Sequence, residues 1–428
     1  MQQQRDSSKE LNTLKENRKT IIYMYSLLLL SFFLSNFYRI STSVVLPDLA
    51  LQWGISATAT GVISGIFFYA YAFAQPFCGL LNDTYGPIKI AFWGMALSAV
   101  GTMMMSLAAS AELFAIGRLF TGLGLAPMLS GALVLQSNCF PVAKYALLTG
   151  ITYTVGNIGT IVSVAPLNWL VNQYSFRFVF LGLALLCILI ALLLFLKIKY
   201  YRQNYIIKQK PREESFLHQL FSAFRYVFQS RQLKTMLLLW MVICGTIMSF
   251  QGLWAVQWFK VAFQVPFSQA SFWATLIGIG VATGNFLGGQ ISRLIPSRRK
   301  IIIFFSLSFA ILWLSEWILL RYHLSLPLVG TVGLLLGICA GVEYTQLTAG
   351  LNEIAPLGNG GVIFGVINCL VFISVAFFQF ISGFLVDAFS GVQGGSSLGF
   401  SKTYVVIITI VLLSQLSLPF LKKFKSEK

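Results

Sequence analysis

Four ionisable side chains stand inside or at the edge of long apolar runs of this 428-residue chain: Arg39, Arg118, Glu343 and Glu316. A charge near the centre of a bilayer costs at least about 2.5–3.5 kcal/mol on insertion scales, so such a group normally faces protein or water and serves a purpose there. Arg39 lies in SNFYRISTS, where Ser35, Asn36, Thr42 and Ser43 sit at −4, −3, +3 and +4. At helical spacing these share its face and make a polar stripe. A guanidinium offers a planar fork that matches a carboxylate or phosphate. Arg39 therefore reads either as the anchor of an anionic solute or as half of an internal ion pair. Glu343, in GICAGVEYTQL, has Gln346 three residues on and Gly337 and Ala340 on the preceding turns. A carboxyl in that position can load and release a proton as a cavity alternates between two sides; its other reading is a permanent partner for Arg39 or Arg118. Glu316, between Trp313 and Trp317 and ahead of Arg321, fits an interfacial aromatic belt. Among uncharged groups, Tyr153, Asn157 and Gln251 are candidates to meet a solute, and Tyr69, Gln75, Trp254 and Asn368 are further candidates for a cavity wall.

These residues need elements to hold them. The chain is 57% hydrophobic and 10% charged, whereas a soluble domain carries roughly a quarter charged residues. Twelve apolar runs fall between about residues 20 and 421, each roughly 20–27 residues long, enough to cross a ~30 Å hydrocarbon core at 1.5 Å per residue. The expected fold is an all-α polytopic membrane protein of twelve transmembrane helices. Residues 1–19 are polar and mixed in charge, without the apolar core and small-residue cleavage site of a signal peptide, and read as a tail. Two six-helix bundles (20–197 and 234–421) then flank a central loop (198–233), and 422–428 form a second tail. Lys and Arg crowd into the tails, the central loop and alternate short loops, which puts both termini in the cytoplasm. The net charge of +17 is thus topological, and no nucleic-acid partner is implied. Within the central loop, Leu217, Leu220, Phe221, Phe224 and Phe228 recur at helical spacing, with His218, Arg225 and Arg231 off that stripe. This predicts an amphipathic helix on the membrane face, either a clip between the halves or a lipid-binding element. Six scattered cysteines without a CxxC pair and two histidines, His218 and His323, point to no disulfide framework, metal or other cofactor.

The halves repeat each other weakly. A shift of 215 places Gly122 on Gly337, Gly150 on Gly365 and PLNWLVN (166–172) on ISGFLVD (381–387), so that Asn172 pairs with Asp387. A shift of 210 places Gly79 on Gly289 and Lys89 on Arg299. Duplicated six-helix halves are the expected residue of a transporter fold. The stretch GLLNDTYGPIK (79–89) resembles the signature loop between helices 2 and 3 of the major facilitator superfamily. Gly79, Asp83, Gly86 and Lys89 match it, while Thr84 stands where an Arg is usual and Pro87 and Ile88 replace further bases. GRLFTGLGLAP (117–127) is similar to the family's helix 4 motif, an Arg followed by glycines at +4 and +6. The resemblance implies that Asp83 acts at a cytoplasmic gate, beside the glycine-rich start of helix 11 (Gly358, Gly360, Gly361), and it links Arg118 to proton coupling, the other reading being a structural pair with an acid or with carbonyls. It also implies a central cavity lined by helices 1, 4, 7 and 10. The drug-antiporter Gly-Pro cluster is absent from helix 5, and FQGLWAVQWF (250–259) is similar to a stretch of bacterial organic-anion importers.

The combined expectation is a monomeric secondary transporter in a bacterial inner membrane. It would take up an anionic or zwitterionic organic solute, such as an organic acid or amino acid-like metabolite, with protons. Arg39, Asn36, Tyr153, Asn157 and Gln251 would bind the solute, Glu343 and Arg118 would couple the proton, and Gly79, Asp83, Gly86 and Lys89 would form the gate. Export of a drug or siderophore, and solute sensing without transport, are the alternatives. No Ser/His/Asp set, HExxH or nucleotide loop suggests an enzyme.

Overall fold

In the computed structural model of the chain, described residues are 2–204, 216–295, 297–354, 360–391 and 396–424, with side chains left undescribed at 2–17, 83, 142–147, 204, 216–217, 219, 293, 352 and 360–361. These residues are helical almost throughout. The first half holds α1 (Gln2–Ile40), α2 (Thr42–Trp53), α3 (Ala57–Tyr85), α4 (Pro87–Ser106), α5 (Ala111–Leu125), α6 (Met128–Cys139), α7 (Val142–Val162) and α8 (Ala165–Asn204). After α9 (Phe216–Gln229) come α10 (Arg231–Ser249), a π-helical segment (Phe250–Trp254), α11 (Ala255–Phe263), α12 (Phe267–Leu294), α13 (Arg298–Arg321), α14 (Leu326–Ile354), α15 (Gly360–Ser390) and α16 (Ser397–Gln415). Among the described residues, eleven helical spans are long and apolar enough to cross a membrane. An unpaired peptide group in hydrocarbon costs several kcal/mol, which leaves helices as the economical way across.

The expected runs are cut where proline removes a donor. Pro166 sits in the first turn of α8, so the fifth run is divided at Ser163 and Val164, between α7 and α8. Proline is tolerated in a first turn because that N–H would be unpaired anyway. Within α8 the backbone leaves the helical region at Ser175 (φ 61°, ψ 154°), and two helical segments meet there. The polar residues expected to form a separate tail are continuous with the first span, since α1 begins at Gln2. Four helices start on serine caps: Ser56, Ser230, Ser297 and Ser396 each accept from the amide three residues on, which satisfies one of the orphan donors of a helix N-terminus.

Backbone-to-backbone contact makes each half stiff. A Cβ on Gly280, Gly284, Gly337 or Gly341 would strike a backbone atom of the facing helix, so α12 and α14 approach as closely as two helices can. Gly122 packs in the same way on Phe67 of α3, and Gly124 on Gly94 of α4. Small residues are what permit such approach when lipid supplies no hydrophobic drive.

The halves meet chiefly along α3 and α15. At one end the join is sealed. Gly61 lies against the Gln379 carbonyl and Gly383 against that of Ala57, while the Asp387 carboxylate accepts from the Ala57 amide (2.7 Å) and the Thr58 amide (2.6 Å). The Thr58 hydroxyl donates to the same carboxylate. Asp387 of the second half thus caps the N-terminus of a first-half helix, an acid placed where the helix dipole favours it. Asn172, its counterpart in the repeat, donates instead to Asn168 of its own helix.

The helix expected in the central loop is α9, but turned on its axis. Ala223 and Val227 are buried, Leu220 and Phe224 half-buried, and Phe221 and Phe228 exposed; the side chain of Leu217 lies outside the described residues. The Tyr226 hydroxyl donates to the Ile354 carbonyl at the end of α14 (3.1 Å).

Replacing Asp387 with Ala removes three hydrogen bonds to a charged acceptor, each worth about 1.5–3 kcal/mol. A cysteine placed at Thr60, buried at that end, is then expected to react with a water-soluble maleimide at least about tenfold faster in the Asp387→Ala background, a shift of roughly 1.4 kcal/mol. Unchanged labelling would mean that the glycine contacts alone close this end.

Candidate functional site

Between the halves lies a cavity of about 100 Å³. All five residues expected to bind solute line it: Asn36 and Arg39 from α1, Tyr153 and Asn157 from α7, and Gln251 from the π-helical segment. Asn368, named only as a possible wall residue, lines it too. Tyr69, by contrast, is 43% exposed on the outside of the bundle. Gln75 is spent on the Ala126 carbonyl and on Asn368, and Trp254 donates to Ser382 away from this cavity. Sequence reasoning missed Tyr71, Phe372, Asn285 and Cys244, which also line it. A polar residue in an apolar run was the available signal for Asn285; the aromatics gave none.

Two interrupted helices place the key groups. Helix α1 stops at Ile40 and resumes at Thr42, five residues ahead of Pro47. The hydroxyls of Ser41 and Ser43 turn back to the carbonyls of Tyr38 and Ile40, and Thr42 donates to the Gly252 carbonyl on the π-helical segment (3.1 Å). Arg39 lies directly beside this break. Its Nη1 donates to Asn36 Oδ1 (3.1 Å), and Asn36 is fixed by donating to the Phe32 carbonyl (3.0 Å). The guanidinium carbon lies 4.5 Å from the ring centre of Tyr71 and 4.9 Å from that of Phe372. Those rings belong to opposite halves and stand 4.7 Å apart at 64°. A desolvated cation on an aromatic face gains roughly 2 kcal/mol. Among the described residues Arg39 has no acidic partner, and its Nε has no hydrogen-bond partner. The internal ion pair that the sequence left open is therefore not formed here.

Arg118 is held differently. It is 1% exposed, its Nη1 donates to the Tyr38 carbonyl (2.6 Å) and its Nη2 to the Ser64 carbonyl (2.9 Å), and its carbon lies 4.7 Å over the Phe67 ring. It ties α5 to α1 at the break and to α3. Of the pair readings, carbonyls rather than an acid are its partners.

Neither buried glutamate reaches the cavity wall. Glu343 is fully buried with both oxygens unpartnered, and Ser306 of α13 lies beside it outside hydrogen-bonding geometry. Its neighbours Ala340 and Tyr344 do line the cavity. Glu316 corrects the interfacial expectation: it is fully buried and both its oxygens are unpartnered. A Cβ on Gly333 of α14 would come within 3.8 Å of Glu316 Oε1. The flanking tryptophans explain the difference. Trp313 packs on Phe250 and Tyr404, and Trp317 donates to Ser401, so both point into the bundle rather than toward an interface. The two glutamates thus occupy one seam between α13 and α14, about 15 Å apart along the helix axis.

Comparison with known proteins fits this architecture. Residues 28–379 match the family model of the Major Facilitator Superfamily. The chain belongs to the major facilitator superfamily. It is a polytopic membrane protein of a transporter family, not an enzyme. Relatives include a probable anion transporter 3 of the chloroplast from Arabidopsis thaliana, 27% identical over 36% of this chain and 30% of that protein. A putative transporter AraJ from Escherichia coli is 27% identical over 63% and 66%, and a probable L-galactonate transporter of the same organism 24% identical over 60% and 56%. The matches therefore span between 30% and 66% of the length of these relatives. A D-xylose–proton symporter has the same fold, with a TM-score of 0.74 at 13% identity over 95% of this chain and 99% of that one. A bacterial homologue of the lysosomal transporter Spinster gives 0.73 at 15% over 94% and 97%.

The superfamily's signature stretch is more helical than a loop. Helix α3 continues through residues 79–85, and only Gly86 (φ 84°, ψ 141°) separates it from α4, which opens on Pro87. Buried Asn82 explains the extension, since it donates to Ser130 (2.8 Å) and to the Cys78 carbonyl (2.9 Å) from within the helix. Lys89 is exposed, its ammonium 5.4 Å from the Tyr85 ring centre, and nothing crowds Gly79. The Asp83 side chain and Gly358 lie outside the described residues. In the second half the corresponding end carries an ion pair that sequence reading did not find, Arg298 to Glu353 at 2.6 Å, with Arg298 also donating to Gln346 (2.9 Å).

Arg118→Ala leaves two carbonyls short of a charged donor and empties a buried site. We expect a loss on the order of 3 kcal/mol, read as a lower melting temperature in detergent. Arg118→Lys should recover only part of it, because one ammonium cannot span two separated carbonyls as a planar fork does. Full thermal stability of Arg118→Ala would refute a structural role for these bonds.

Proposed function

We propose that this protein is a secondary active transporter that brings a small organic anion into a bacterial cell together with protons, the two halves rocking around the central cavity. The observation that carries this reading is Arg39. Its faces are covered by rings from both halves, its charge has no acidic partner among the described residues, and it borders the cavity. An anion entering there supplies the missing countercharge, and it does so at a point gripped by α3 and α15. The anion-carrying relatives named above support the same class of solute.

The excess of Lys and Arg supports a cytoplasmic position for the termini and for the Gly79–Lys89 end. The Asp387 end then faces outward, and the sealed state is the one that releases solute inward. On the opposite face Gly79, Asp83, Gly86 and Lys89 form the gate that closes in the alternate state. Glu343 serves as the proton site: it is a buried carboxyl without a hydrogen-bond partner, next to the cavity residue Tyr344. Arg118 contributes by holding the break in α1, and with it Arg39. The transporter works as a monomer.

In right-side-out vesicles, with a radiolabelled carboxylate chosen by thermal-shift screening, Arg39→Ala is expected to abolish uptake. Retained uptake by that variant at wild-type affinity would refute the anchor. Glu343→Gln is expected to keep solute exchange while losing uphill accumulation under a proton gradient. Proton-driven accumulation at the wild-type level in Glu343→Gln would remove Glu343 from the coupling step.

A further inference from the structure

We infer that the anion taken by this cavity is a hydroxylated monocarboxylate, a small sugar-acid-like solute, rather than a plain fatty acid, a dicarboxylate or an amino acid; this rests on the anion-carrier reading above. The argument is an inventory of what the cavity wall offers after its internal bonds are counted. There is one cation, Arg39, and no carboxylate among the lining residues. A second acidic group on the solute would find no second charge, and an ammonium group would find only neutral atoms. Burying an unpaired charge costs several kcal/mol, so both are disfavoured.

Five side-chain amides border the same cavity. Two are occupied: Asn36 accepts from Arg39 and Asn368 donates to Gln75. The other three, Asn157, Gln251 and Asn285, come from α7, the π-helical segment and α12, so they surround a solute held by Arg39. Among the described residues the Asn285 side chain has only a long bond from Thr345 (3.4 Å). Gln251 is 3% exposed, and its Nε2 has no partner. A buried amide left unpaired costs about 1–3 kcal/mol, which a plain hydrocarbon chain cannot recover. Amides both donate and accept, as hydroxyl groups do, so a chain of hydroxyls is the body that satisfies them. The backbone is arranged to admit Gln251. The π-helical turn adds a residue at Phe250–Trp254, a device often found at functional sites. Opposite it, Gly278 leaves space that a Cβ would close to 2.7 Å from Gln251 Nε2.

The test is a ligand panel on the full-length protein in detergent, read by isothermal titration calorimetry. D-glycerate and D-gluconate are compared with propionate and hexanoate, their analogues without hydroxyls, and with succinate, L-serine and glycerol. We expect at least one of the two hydroxy acids to bind about tenfold or more tightly than its plain analogue, the scale of one or two hydrogen bonds, and more tightly than the other three. Gln251→Leu should narrow that gap, and Gly278→Ala should narrow it too by displacing the amide. If propionate and hexanoate bind as well as their hydroxylated partners, or succinate or L-serine binds best, the hydroxy-acid inference falls and the Arg39 anchor stands. If no carboxylate binds at all, or glycerol binds best, the anion-carrier reading falls and takes this inference with it. The wild-type panel decides the matter even where a variant fails to fold.

Discussion

A positive charge inside a hydrocarbon-thick bundle must be answered by something, and this chain answers it twice in different ways. Arg118 is held at both Nη atoms by carbonyls and lies on an aromatic face, with only its Nε left unpaired among the described residues. Arg39, whose backbone adjoins one of those carbonyls, is answered only in part, by Asn36 and two rings. The arginine bonded to two carbonyls stiffens the framework that presents the more loosely held one. The break in α1, the close contact of α1 with the π-helical segment and the meeting of α3 with α15 all surround this contrast.

On the transport reading proposed above, the partial answer also links binding to motion. Tyr71 and Phe372 sit on different halves, so the surroundings of Arg39 change whenever the halves rotate relative to each other. On that reading, a solute that neutralised Arg39 would alter how strongly the guanidinium holds both rings. Binding free energy can bias a two-state element only through such differential contacts, and this is one that spans the interface.

Much of this was legible in the sequence. Helical spans follow from composition and length, and Arg39, Asn36, Tyr153, Asn157 and Gln251 were found as polar groups in apolar runs. Water-free surroundings make such residues informative, because a lone polar group facing lipid would be costly. The same logic failed for Tyr71 and Phe372, since an aromatic in a membrane helix is equally at home against lipid. Glu316 was misplaced because its tryptophan neighbours imitate an interfacial belt, whereas their rings pack on α16 and the π-helical segment. The helix ends near Ser41 and Ser163 were missed because hydrophobicity continues across both breaks, and only the prolines further on mark them.

The contact made by Asp387 has a consequence for how this protein family is read by comparison. Two of the three groups that Asp387 holds are main-chain amides, which every residue except proline supplies. The bond at position 57 therefore does not depend on which side chain stands there, although that side chain is itself buried, and the bond at position 58 depends on it only through the hydroxyl. Paired substitution across relatives, the usual trace of a contact between distant segments, would register little here. A join between the halves can thus be strong in space and almost silent in an alignment.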